Sequence, residues 1–326
     1  SIDSEYRTLK GRKIKTFATK LSGEGAEGQL FFSTAAVERD LKIIVKVDSW
    51  ASGGNLNSAR ERLGGSGTQT AGLAFGGNVG TPPAPGLNAS NTSEEYNGAA
   101  WTEGNNLNTA RLAIKGAGTQ TATVAFGGSE PATTAKTEEY NGTSWAEQND
   151  MSADRAGHTG FGTQTAAVAT ADYPAATTEE YDGTSWTAGG DLGTARYGMG
   201  AGGTLTAGVV FGGASPVTGK TEEYDGSSWT ESGDLNQNRL GLAGSGTQTA
   251  ALAFGGAPGP SGQVSSERYD GTSWAVAPNL ASRRFYLAGC GTQALSLAFG
   301  GFSSPSKTNV TEEFTFAFLS KTVTDS

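Results

Sequence analysis

Residues 118–145 read GTQTATVAFGGSEPATTAKTEEYNGTSW. Within them TVAFGG (123–128) is a short apolar β segment stopped by two glycines. TEEYNGTSW (137–145) reads as strand, Asn-Gly, strand, and Asn-Gly supplies the positive φ angles of a tight type I′ hairpin. GTQTA (118–122) reads as a second tight turn, with Gly118 as its permissive residue.

Working outward, the same unit recurs along the chain. Ten residues after each of Trp50, Trp101, Trp145, Trp186, Trp229 and Trp274 comes an arginine: Arg60, Arg111, Arg155, Arg196, Arg239 and Arg284. Fifteen residues further stand Phe75, Phe126, Thr170, Phe211, Phe254 and Phe299, all but Thr170 followed by Gly-Gly. Tyr96, Tyr140, Tyr181, Tyr224 and Tyr269 lie five residues before the next Trp, and Phe314 takes that place at the end. Only the interval from Phe (or Thr170) to the next Tyr or Phe314 varies, at 21, 14, 11, 13, 15 and 15 residues. Four short strands in each repeat of roughly 40–45 residues predict the blades of a β-propeller.

Gly-Gly after an apolar strand, then Tyr, Trp and Arg, resembles the kelch motif over about residues 41–319. The expectation is an all-β, six-bladed kelch-like propeller over 41–326, with a short arm before it at 1–40. The strands of a blade are labelled a to d from the centre outward: a follows Arg, b carries Phe, c carries Tyr and d carries Trp. Blade 3 departs from the motif at Thr170-Ala171, where a local packing defect is expected. The last repeat ends on EEFTFAF (312–318), a c strand with no Trp hairpin after it. The missing d strand is LKIIVKVDSW (41–50), so the ring is expected to close through this N-terminal strand, removing exposed sheet edges. The tryptophans are expected to pack between neighbouring blades.

Six arginines on one rim would suit an anion. Against that, Glu94, Glu138, Glu179, Glu222, Glu267 and Glu312 each stand two residues before the Tyr position. Six Arg and six Glu in step favour repeated ion pairs, which makes both sets scaffold. Asn55, Asn106, Asp150, Asp191, Asp234 and Asn279, five before each Arg, read as turn or cap residues.

The composition narrows the function classes. The 326 residues hold 50 glycines and carry a net charge of −9. An acidic balance argues against nucleic acid as a partner, because phosphate neutralisation needs clustered Lys and Arg. No apolar run approaches the roughly 20 residues of a membrane span, and no membrane insertion is expected. One cysteine, Cys290, and one histidine, His158, make neither a metal cluster nor a Cys-His nucleophile pair. No catalytic residue, metal or cofactor is assigned, and no enzyme is expected. The arm is basic over its first twenty residues, with Arg7, Lys10, Arg12, Lys13, Lys15 and Lys20 against Asp3 and Glu5. It reads either as a solvated arm or as an anchor onto a larger assembly, and GQLFFS (28–33) reads as a strand pairing outside the ring.

The b–c connections are the variable ones, and loops on a rigid scaffold are where binding residues sit. The longest, 78–92, holds Asn78, Pro82, Pro83, Pro85 and Asn88. Ser129, Glu130, Ser215, Pro258 and Phe302 mark the shorter ones, and Phe302 is expected to be exposed. Near-identical repeats of this kind are similar to kelch-like repeats in virion proteins of tailed bacteriophages, and residues 28–50 look like strand pairs of phage fibre and decoration proteins. The resemblance implies a structural or attachment module of a virion. Its expected partners are other virion proteins, through residues 1–40, and a host-surface glycan or protein. The alternative is a carbohydrate- or protein-binding module, secreted or on a bacterial surface.

Overall fold

A computed structural model describes residues 6–9, 12–17, 30–33, 41–80, 88–129, 131–172, 174–259 and 261–322. Every regular element among the described residues is a strand. Five four-stranded antiparallel sheets have the sequential order a-b-c-d. In blade 1 they are Gly64–Thr68, Ala71–Phe75, Ser93–Tyr96 and Trp101–Gly104. The sixth blade places Ala288–Gly291, Leu295–Phe299, Thr311–Thr322 and Leu41–Ser52 side by side, in that order. The chain is a six-bladed β-propeller closed by an N-terminal strand. By packing it divides into residues 50–314, which carry five whole blades and the two inner strands of the sixth, and a smaller unit of residues 1–49 with 315–326. In the smaller unit Tyr6–Leu9 pairs antiparallel with Arg12–Phe17, which runs parallel to Leu30–Ser33.

Local sequence explains each blade. Gly118 lies inside strand a at φ 126°, where a Cβ would stand 2.1 Å from the Ala122 carbonyl oxygen, so glycine is required. The Asn-Gly and Asp-Gly turns are not the expected type I′ pairs. They are four-residue loops in which the glycine alone has positive φ, as at Gly142 (φ 87°). The Asn141 Oδ1 accepts from the backbone N–H groups of Thr143 and Ser144, which supports the turn without strain at Asn141.

The blades are joined by a fixed set of side chains. At the seam of blades 1 and 2, the Trp145 ring packs on Phe75 with centroids 5.2 Å apart, and its Nε1 donates to Ser93 Oγ. Tyr140 donates its hydroxyl proton to Glu95 at 2.5 Å, and Gln120 Nε2 donates to the carbonyls of Gly72 and Tyr96. The last seams repeat this pattern. Trp50 packs against Phe254 at 5.1 Å and donates to Ser266 Oγ, while Trp101 packs on Phe299 and donates to Thr311 Oγ1. Burying each ring contributes about 3 kcal/mol.

Blade 3 departs from the others locally, with a shift of register between strands b and c at Thr170 and Asp172, but the space is largely refilled. Ala171 (φ 59°) and Asp172 (φ 154°) keep positive φ angles at the two positions that glycines hold elsewhere. Thr170 is fully buried and its hydroxyl meets that of Thr178 at 2.8 Å. The aromatic missing from strand b is supplied by strand a, where Phe161 meets Trp229 edge-on at 6.2 Å. Gly208 of the next blade makes the room, since a Cβ there would lie 2.1 Å from the Phe161 ring.

Candidate functional site

Each repeated arginine is buried inside its own blade. Arg111 Nη2 lies 2.8 Å from Glu138 Oε1, both side chains have no exposure, and Nη1 donates to the carbonyls of Gly127 and Lys136. Glu138 Oε2 accepts from the Asn108 backbone N–H, so the carboxylate also holds the d–a turn. The same pair forms at Arg60–Glu94, Arg155–Glu179, Arg196–Glu222, Arg239–Glu267 and Arg284–Glu312, at 2.5–2.8 Å. Burial lowers the Arg284 pKa to about 10, with Glu312 opposing it, and the guanidinium stays charged at neutral pH. Asn55, Asp150 and Asp234 each accept the backbone N–H at the start of a c strand.

The candidate loop residues fall in different surroundings. Asn78 is buried rather than displayed: its Nδ2 donates to Glu61, and its Oδ1 accepts from the backbone N–H groups of Gly80 and Asn88. Asn88 and Pro258 are exposed and Ser215 is half-buried. Phe302 is half-buried, not exposed, because its ring packs edge-on to Phe285 at 5.5 Å and its backbone pairs with Phe285. Pro82, Pro83, Pro85 and Glu130 lie outside the described residues, as do Lys10 and Lys20 of the arm.

No protein-family model matches the chain, and no curated protein matches it. The six blades can still be compared with one another, and a group of their departures from the repeat lies at the mouth of the central channel. The residue two after each Arg rings this mouth: Arg62, Ala113, Gly157, Gly198, Gly241 and Tyr286. All six have positive φ, from 53° at Tyr286 to 98° at Gly157. Backbone hydrogen bonds run round the ring, from Arg62 N–H to Tyr286 O, Ala113 to Arg62, Gly198 to Gly157, Gly241 to Gly198 and Tyr286 to Gly241. Among the described residues the sixth junction, from blade 2 to blade 3, carries no such bond.

Three residues there break the repeat. Arg62 and Tyr286 stand where the other blades have Gly or Ala, and the Arg62 guanidinium lies 4.4 Å from the Tyr286 ring centroid. The third is Lys115, four after Arg111, where the other blades carry Gly, Ala or Thr. Among the described residues its amine makes no hydrogen bond or ion pair. Burial pushes its pKa down to about 8, so it remains charged at neutral pH. Beside the open junction His158 occupies the place of an aliphatic residue, fully buried against Phe126. Burial first, then the charges of Lys115 and Arg155, hold its pKa well below the usual histidine value. The mouth encloses a cavity of about 350 Å³. Ser129 of the expected loop residues lines it, whereas Arg62, Lys115 and Tyr286 were not expected. Aligning the six copies on their arginines would have exposed all three. The arrangement sets two cationic side chains and aromatic surface around one cavity.

Proposed function

We propose that the chain is a non-enzymatic structural or attachment module of a virion of the tailed-bacteriophage kind, a tail fibre, tail-associated or capsid decoration protein. In this reading it meets a protein or glycan partner on the face that carries the b–c loops. The supporting observation is where invariance falls. The repeated Trp, Tyr, Gln, Arg and Glu hold seams or blade interiors, while variation gathers in the b–c loops and around the channel mouth. The chemical inventory agrees with a binding role. The Cys290 thiol is buried with its pKa pushed up to about 12, and the His158 imidazole is buried and neutral. The virion context rests on the resemblance of the repeat to kelch-like repeats of phage virion proteins and of the sequence 28–50 to phage fibre and decoration proteins.

Immunogold labelling of purified particles with antibodies against the chain tests this. Label on the tail or capsid is expected. Label confined to a bacterial surface would replace the reading with a surface-displayed carbohydrate- or protein-binding module, which the cavity at the mouth would equally serve.

A further inference from the structure

We propose that the channel mouth is a binding site for a small carboxylate-bearing ligand, an acidic monosaccharide unit of a glycan, held by Lys115 and Arg62 with its apolar face against Tyr286. The proposal deepens the attachment reading and rests on it only for the glycan context.

The charge of the cavity argues for an anion. Lys115 and Arg62 both line it, and no Asp or Glu is among the lining residues. This is a cationic pocket in a chain of net charge −9. Two carboxylates flank the rim outside the lining, and each is held by a hydrogen bond: Glu61 accepts from Asn78 Nδ2, and Asp172 accepts from the N–H of Ala156 at the cavity wall. The six repeated arginines are neutralised by their glutamates, whereas the Lys115 amine has no partner among the described residues. A partly buried ammonium without a counter-charge is costly, and a bound anion would remove that cost. Arg62 adds a second cation whose Nε is buried with no hydrogen-bond partner.

Shape and apolar lining argue for a ring. About 350 Å³ is at the lower end of small-ligand pockets, enough for one sugar unit and too little for a folded partner's side chains in number. Tyr286 and Tyr197 present aromatic surface, and Leu112, Leu242 and Leu287 complete an apolar wall. A pyranose offers C–H groups to such surface on one face and a carboxylate at its edge. Sixfold repetition places small residues at four of the six ring positions, which keeps the mouth open. The two large exceptions, Arg62 and Tyr286, sit on adjacent blades and touch each other.

Titration of the full chain with sodium D-glucuronate, D-glucose and inorganic phosphate, followed by NMR, tests the site. Saturable glucuronate binding is expected, with glucose at least about tenfold weaker. Lys115→Met and Arg62→Gln should each weaken glucuronate binding by about tenfold or more. The Lys115 ammonium resonance of the unmodified chain should shift in step with glucuronate, a reading that needs no variant. Failure to saturate by about 100 mM, or equal affinity in Lys115→Met, overturns the proposal. Phosphate binding as tightly as glucuronate marks an unselective anion site and overturns the sugar assignment. A chain located on virions that binds no uronate loses this site but keeps the attachment reading. Uronate binding by a chain absent from virions does the reverse.

Discussion

At the residue scale, the repeated Arg–Glu pair shows how burial changes the worth of a charge. Arg196 and Glu222 lie 2.7 Å apart and are almost wholly buried. Arg196→Met leaves the carboxylate buried and uncompensated, and should cost about 3–5 kcal/mol in urea unfolding. Adding Glu222→Leu should cost less than the sum of the two single changes, with a coupling of about 2 kcal/mol in the double-mutant cycle. His158 supplies the pH dependence. Its folded pKa is depressed, so below about 6.5 the unfolded chain binds a proton that the folded chain refuses. Stability contributed by the neutral ring is full above that pH and is lost as the pH falls, by up to about 1.4 kcal/mol per unit. His158→Leu, which matches Leu63, Leu242 and Leu287 of other blades, should abolish that slope in melts between pH 7 and pH 5.

At the scale of the element, blade 3 shows that a seam needs an aromatic against the Trp more than it needs a particular strand to supply it. Phe161→Ala should cost about 3–5 kcal/mol, because Thr170 cannot fill the space beside Trp229. Adding Thr170→Phe rebuilds the arrangement of the other blades and should recover about half the loss in the same denaturation measurement. No recovery would mean that the Ala171 and Asp172 backbone forbids the ring. Changes elsewhere are also paired. Phe314 lacks the tyrosine hydroxyl in blade 6, and blade 5 carries Arg268 where other blades carry the accepting Glu. Leu205 replaces the turn Gln in blade 4 and packs against the cluster that contains Phe161.

At the scale of the whole molecule, stability depends on all six seams, because a ring has no end at which to open. Trp50 makes at blade 6 the contacts that Trp274 makes at blade 5. Trp50→Ala should therefore cost about as much as Trp274→Ala, on the order of 3–5 kcal/mol by thermal or chemical denaturation. A cost below about 1 kcal/mol at Trp50 would show that the last seam is held by something other than this strand.

Spacing alone determined the blade count, the four strands of each blade, the Arg–Glu register and the closing strand. These follow from intervals that sterics and strand alternation hold constant, so they are legible in one dimension. The Glu next to each Tyr, the turn Gln and the Phe161–Gly208 exchange were not legible, because each joins residues of two different blades. The mouth was only half legible. Arg62, Lys115 and Tyr286 each stand out when the repeats are aligned on their arginines, but they are far apart in the chain, and only closure of the ring brings them around one cavity. Whether Asn78 and Phe302 face solvent was likewise decided by tertiary packing, since each is covered by a neighbour that no local pattern specifies.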